Sequence, residues 1–164
     1  MPHIHALIAL DEEQLRICPE LAENLISAEH VHEPDPEDHS KAAEQARRLR
    51  RLVGELQTHT CSDYCMKDSG QCDKRFPKDY SNETIISERH AQYMRRAPEM
   101  GGAVYEGPTR GKARGTTTIH TNQYVVPYNP FILLKYGSHH NVEWVGSQHR
   151  ALEYSLKYLL KGEF

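Results

Sequence analysis

The sequence predicts an α+β fold: an antiparallel sheet with flanking helices, plus a small insertion held by something other than a core. Three observations carry that prediction. Apolar side chains recur at helical spacing between residues 36 and 57, and short β-branched or apolar runs recur beyond residue 83. Between them, His59–Tyr80 drops all periodicity in favour of Cys, Asp, Gly and Pro. With 164 residues, the chain makes one ordinary domain or two small ones. Its apolar fraction is 38% and its mean hydropathy −0.73. No run approaches the roughly 20 apolar residues of a membrane helix. No charged-then-apolar leader opens the chain, so neither membrane spanning nor secretion is expected. The 4 Cys, 9 Tyr and apolar β-rich runs argue for a packed body against disorder.

Taken in order, MPHIHALIAL reads as a strand ending near Leu10. A strand needs neighbours for its backbone groups, and none precedes this one, so the natural protein is expected to continue upstream. DEEQLRICPELAENLISAEH reads as helical, interrupted at Pro19, with Cys18 a small buried hydrophobe. After a turn at Glu33–Pro36, a helix is expected over Pro36–Gln57, with Pro near its start, where a missing N–H costs nothing. Leu49, Leu52, Val53 and Leu56 share one face of it, and the Arg47–Arg51 cluster lies on the other. Thr84–Ile86 and Ala91–Met94 read as short strands, Gly101–Gly115 as a Gly- and Arg-rich loop, and Thr116–Val126 as a strand. Phe131–Tyr136 is a short apolar element, Asn141–Val145 another strand, and Gln148–Leu160 a final helix. The chain thus divides into residues 1–58, 59–80 and 81–164.

The net charge of −3 conceals a split. Residues 1–60 hold 12 acidic against 6 basic residues, whereas residues 61–164 hold 14 basic against 11 acidic. Contact with a polyanion would therefore be local to the C-terminal two thirds, unless the charges simply form a mixed solvated surface.

His59, Cys61, Cys65 and Cys72 place four soft or borderline ligands within 14 residues, separated by the turn formers Asp63, Ser69 and Gly70. That spacing suits tetrahedral Zn²⁺ in a structural role, since four protein ligands leave no open position for water. A disulfide plus a free thiol is the alternative and requires an oxidising compartment. At the N-terminus, His3 and His5 lie on one side of a strand and can converge on one divalent ion. In the last helix, Tyr154 and Tyr158 lie one turn apart, and Lys157 and Lys161 repeat that spacing on a neighbouring face. Read singly, the histidines are accidental and the tyrosines pack on the sheet with wet hydroxyls. Read together, they form a constellation. A tyrosine hydroxyl attacks a phosphodiester, a His-held metal polarises the phosphate, and lysines stabilise the developing charge.

The sequence resembles the replication-initiator (HUH endonuclease) domain of Helitron transposases, also called the Helitron helicase-like domain. The resemblance runs in order through MPHIHALIAL, LISAEH, HTCSDYCMKDSGQCDKRFPKDY, ETIISERHAQYMRR, NQYVVPYNPFILLKYGSHHNVEW and EYSLKYLLKG. The last fits the family's Tyr-x2-Lys-Tyr-x2-Lys pattern. The resemblance implies an HUH-like fold, truncated at its N-terminus, and a rolling-circle nickase that rejoins single-stranded DNA through a phosphotyrosine. It implies Tyr154 and Tyr158 as nucleophiles beside Lys157 and Lys161, and His3 and His5 as ligands of Mg²⁺ or Mn²⁺. It secures no third ligand; Glu143 is the choice on a candidate strand, a surface carboxylate the alternative. It further implies nuclear localisation and a helicase in cis in the full-length transposase. This chain has no Gly-x4-Gly-Lys-Ser/Thr loop, so it carries no helicase ATPase motif itself and reads as a fragment. A catalytically silent, zinc-containing DNA-binding relic is the alternative function. For single-strand binding, Arg95, Arg96, Arg110, Lys112 and Arg114 are expected on phosphates and Tyr124 and Tyr128 on bases. Trp144 is expected in the core.

Overall fold

The computed structural model describes residues 5, 6, 8, 24–87, 91–108, 117–145, 152, 153 and 156. Over these residues the protein is a small α+β unit with two helices and two short antiparallel sheets. Helix α1 spans Lys41–Leu56 and starts later than the sequence suggests. Asp35, Pro36 and Asp38 form a hydrogen-bonded turn instead, and Ser40 is the N-cap, its Oγ accepting from the Ala43 N–H at 3.2 Å. Cap chemistry thus outcompetes the proline as the start signal. Strands β1 (Ile85–Ile86) and β2 (Ala91–Gln92) form one sheet.

Strands β3 (Tyr105–Pro108) and β4 (Thr117–His120) form the other, with Tyr105 opposite His120 and Glu106 opposite Ile119. Part of the expected Gly101–Gly115 loop is therefore a strand. The expected strand over Thr116–Val126 ends at His120, because Asn122–Tyr124 turns into a 3-10 helix. Helix α2 spans Pro130–Tyr136; Asn129 caps its start through Ile132 N–H at 2.8 Å, and Gly137 at φ 57° ends it in the left-handed region. Among the described residues, Asn141–Val145 joins no ladder. It is tethered by single bonds, from Val142 N–H to Pro127 O at 3.0 Å and from Trp144 N–H to the Tyr93 hydroxyl at 2.7 Å. Leu152, Glu153 and Leu156 are helical, in line with the expected last helix, most of which lies outside the described residues.

The expected face of α1 is the buried one. Val53 joins Val125, Tyr128 and Leu133 in the main core, flanked by Val31, Leu49, Leu52 and Leu56. A second cluster gathers Ile26, Ala28 and Tyr93; Trp144, expected in the core, is half-buried and packs against the edge of this cluster. Among the described residues, no helix is long and apolar enough to cross a membrane.

The two clusters meet around a polar interior that periodicity does not announce. Glu29 is buried and takes Arg96 in a two-pronged ion pair, with Nη2–Oε2 at 2.6 Å and Nε at 3.1 Å from both carboxylate oxygens. Asn122 is fully buried; its Oδ1 accepts from the His30 N–H at 2.7 Å, and its Nδ2 donates to Glu29 Oε1 and to the Arg96 carbonyl. Gly102 belongs to the same interior: a Cβ there would stand 2.0 Å from the Arg96 carbonyl oxygen. Glu29, Arg96 and Asn122 come from LISAEH, YMRR and NQYVVPYNP, three segments far apart in the chain that converge on one network.

Candidate metal centre

Both ends of the Cys-rich segment are sewn to the 122–126 backbone. His59 N–H donates to Tyr124 O at 2.7 Å, Thr58 bridges Val125, and Lys78 N–H donates to Gln123 O at 3.0 Å. Within it, Cys65 N–H and Met66 N–H both reach Ser62 O, Met66 bridges Cys72, and a tight turn closes at Gly70 with φ 76°. The turn residues thus do what their composition suggests: they fold the chain back so that distant cysteines meet.

The result is a four-ligand cluster. One donor atom each from His59, Cys61, Cys65 and Cys72 lies within 4.8 Å of all the others. His59 Nε2 is 3.4 Å from Cys61 Sγ, 3.7 Å from Cys65 Sγ and 3.3 Å from Cys72 Sγ. An ion with bonds of about 2.3 Å to sulfur and about 2.05 Å to nitrogen, at tetrahedral angles, sets each N···S edge near 3.6 Å. The observed edges bracket that value, so the four side chains fit a tetrahedral cation such as zinc. All three cysteines are free thiols, and Cys65 and Cys72 are buried.

The electrostatics favour the ligand forms unevenly. Burial holds the His59 imidazole below its ordinary pKa, against the opposing pull of Asp73, and Lys78 and Lys74 lower it further, so it stays neutral with a lone pair to give. Burial opposes ionisation of Cys72, yet backbone N–H groups of Phe76 and Lys74 and side-chain bonds from Cys61 and Cys65 hold its pKa below the usual thiol value. Cys61 is pushed up to about 11 by burial and by the neighbouring Cys72 and Cys65. A divalent cation at the cluster would favour the thiolate of Cys61 against these opposing influences. The His59 ring is fixed by stacking on Phe76, with centroids 4.2 Å apart.

The other expected site residues are placed differently. His3, Tyr154, Lys157, Tyr158, Lys161, Arg110, Lys112 and Arg114 lie outside the described residues. His5 is exposed, and Glu143 is exposed with its Oε1 accepting from Asn141 Nδ2 at 2.9 Å. Two expected nucleic-acid contacts are corrected to interior residues. Arg95 is buried, and its Nη1 donates to the carbonyls of Asn122 at 2.8 Å, Val125 at 2.6 Å and Ala28 at 3.4 Å. The Asn122 carbonyl also accepts from the Val125 N–H at 3.2 Å, so the guanidinium adds to that bond and supplies a donor to the Val125 and Ala28 carbonyls. Tyr128 is 1% exposed, and its hydroxyl donates to Glu29 O at 3.0 Å, so its ring offers no face to a base. Arg96 is held by Glu29. Tyr124 is half-buried.

Sequence reasoning missed the Glu29–Asn122–Arg96 network. The signal that could have found it was a lone acid in the apolar LISAEH stretch and a paired arginine after a tyrosine. No family model, curated protein or solved structure matches this chain.

Proposed function

We propose that this chain is the nuclease portion of a Helitron-type rolling-circle transposase, cutting and rejoining single-stranded DNA, with Zn²⁺ in a structural role. One observation carries the reading: the His-x-His strand, the His59/Cys61/Cys65/Cys72 segment and the Tyr-x2-Lys-Tyr-x2-Lys helix occur in a single chain in the family's order. The four-ligand geometry supports the zinc assignment. The closed ligand set argues for a structural ion, because no coordination position is left for water or substrate.

In this reading His3 and His5 would hold Mg²⁺ or Mn²⁺, with Glu143 the choice for a third ligand, and the ion would supply Lewis-acid polarisation of the scissile phosphate. The chain's own residues carry the exchange. The phenol oxygen of Tyr154 or Tyr158, having lost its proton, bonds to phosphorus, and the sugar oxygen leaves and takes up a proton. One P–O ester bond replaces another, so the phosphotyrosine retains the energy for rejoining. Lys157 and Lys161 stabilise the negative charge on the phosphoryl oxygens. The second tyrosine serves a second strand. Single-stranded DNA is the substrate, the nucleus the compartment, and a helicase the cis partner in a full-length transposase.

A covalent-adduct gel tests this. Purified protein with Mn²⁺ and labelled single-stranded oligonucleotides from transposon ends is expected to give a denaturant-resistant band. Tyr154→Phe and Tyr158→Phe are each expected to remove it with zinc content unchanged. A double Phe variant that still forms the adduct would refute the assignment. Saturable binding without adduct at any Mn²⁺ concentration replaces the nuclease with a silent zinc-containing DNA-binding module.

A further inference from the structure

Beside the metal centre runs an open groove of about 1070 Å³, lined by residues of the Cys-rich segment and by His139, Asn141, Glu143 and Trp144. We propose that this groove is the seat of a single strand of nucleic acid, with Tyr64 stacking on a base and Lys78 meeting the backbone phosphate. The inference rests on the single-stranded-DNA reading above and assigns it a surface built from residues outside the nuclease motifs.

Tyr64 is 93% exposed, although its flanking chain is pinned by the Cys65 and Met66 bonds to Ser62 and by the metal ligands on either side. A large aromatic ring held in water on a turn whose backbone is pinned presents an open π face to a partner. Lys78 Nζ sits 5.0 Å from the Phe76 ring centroid and donates to the Lys74 carbonyl at 3.0 Å. Among the described residues, no carboxylate lies within ion-pairing distance of it. His139, which also lines the groove, donates from Nδ1 to Leu56 O at 2.7 Å.

The occupant follows from what the walls offer. Duplex DNA buries the π faces that an exposed tyrosine could use, whereas a single strand presents both bases and phosphates. Two carboxylates, Asp79 and Glu143, also line the groove, so stacking rather than charge is expected to carry most of the affinity.

The test uses the full, zinc-loaded chain and two fluorescent probes of equal length, oligothymidylate and an abasic strand with the same phosphates. In anisotropy titrations, Tyr64→Ala is expected to weaken oligothymidylate binding roughly 5-fold or more. Tyr64→Phe is expected to retain wild-type binding, and all three proteins to bind the abasic strand alike. Lys78→Gln is expected to weaken both probes and to flatten the salt dependence by about one unit of slope. Wild-type affinity in Tyr64→Ala, or equal weakening on both probes, overturns the groove. If that result accompanies a normal adduct in the gel, the nuclease reading stands without it. Tyr64-dependent binding with no adduct keeps the groove and removes the nuclease.

Discussion

Tyr128 illustrates how a single residue's role turns on its surroundings. Nine tyrosines in a chain with a basic C-terminal half invite a stacking role. Tyr128 instead fills the main core and donates its hydroxyl to the Glu29 carbonyl, where burial pushes its phenol up to about 12. Tyr128→Phe leaves that carbonyl without the donor and is expected to cost about 1–3 kcal/mol in urea unfolding, with single-strand affinity unchanged. His30 makes a second prediction. Its ring stacks on Tyr105 at 5.8 Å, both ring nitrogens are buried without a hydrogen-bond partner among the described residues, and its pKa is lowered to about 3 by burial, then His120, then Arg50. The unfolded chain, with an ordinary pKa of about 6.5, therefore binds more protons than the fold between those values. The contribution of neutral His30 is present above pH 6.5 and is lost as pH falls towards 3, with a slope approaching 1.4 kcal/mol per pH unit. Relative to wild type, His30→Gln should gain stability steadily across that fall. A constant difference between pH 7 and pH 4 would remove the assignment.

At the scale of elements, α1 is locked by shape as much as by apolar burial. Gly54 lowers helix propensity by about 1 kcal/mol relative to Ala, yet a Cβ there would stand 2.2 Å from the Tyr105 ring. The glycine admits the ring from β3 against the helix. Gly54→Ala is expected to destabilise by about 1–3 kcal/mol despite the better helix former, read as a fall in Tm. Among the described residues the Cys-rich segment joins neither apolar cluster; its bonds to the 122–126 backbone tie it down, and metal bound by the four ligands would add to them. Cys72→Ser is expected to lose stoichiometric zinc, measured by mass spectrometry of the native protein. Ser40→Ala, by contrast, should cost only about 1 kcal/mol, the worth of one helix cap.

Across the whole molecule, the metal segment and the core are one mechanical unit. Gln57 O accepts from Val126 N–H and His59 N–H donates to Tyr124 O, each at 2.7 Å, so the chain leaves α1 for the metal loop through the strand-like pairing that holds Val125 in the core. Trp144, the one tryptophan, borders the groove and packs on the second cluster. Zinc removal by a strong chelator is therefore expected to shift Trp144 fluorescence to longer wavelength and to lower the unfolding midpoint. An emission spectrum indifferent to chelation would show that the metal loop and the 139–144 segment are not coupled.

Sequence alone determined what depends on local spacing: the buried face of α1 from Leu49, Leu52, Val53 and Leu56, the four ligands His59, Cys61, Cys65 and Cys72, and the α+β class. Helical periodicity and ligand spacing are encoded within a turn or a loop, so they can be read without the rest of the chain. Tertiary structure decided what depends on partners far along the chain. Glu29, Arg96 and Asn122 lie up to 93 residues apart, and only their meeting makes a buried acid tolerable. Arg95 was legible as a cation but not as an interior one, because that depends on the carbonyls of Ala28, Asn122 and Val125 meeting at its guanidinium. Asn141–Val145 has strand composition but finds no strand beside it among the described residues, since a ladder needs a neighbour and composition supplies only one side.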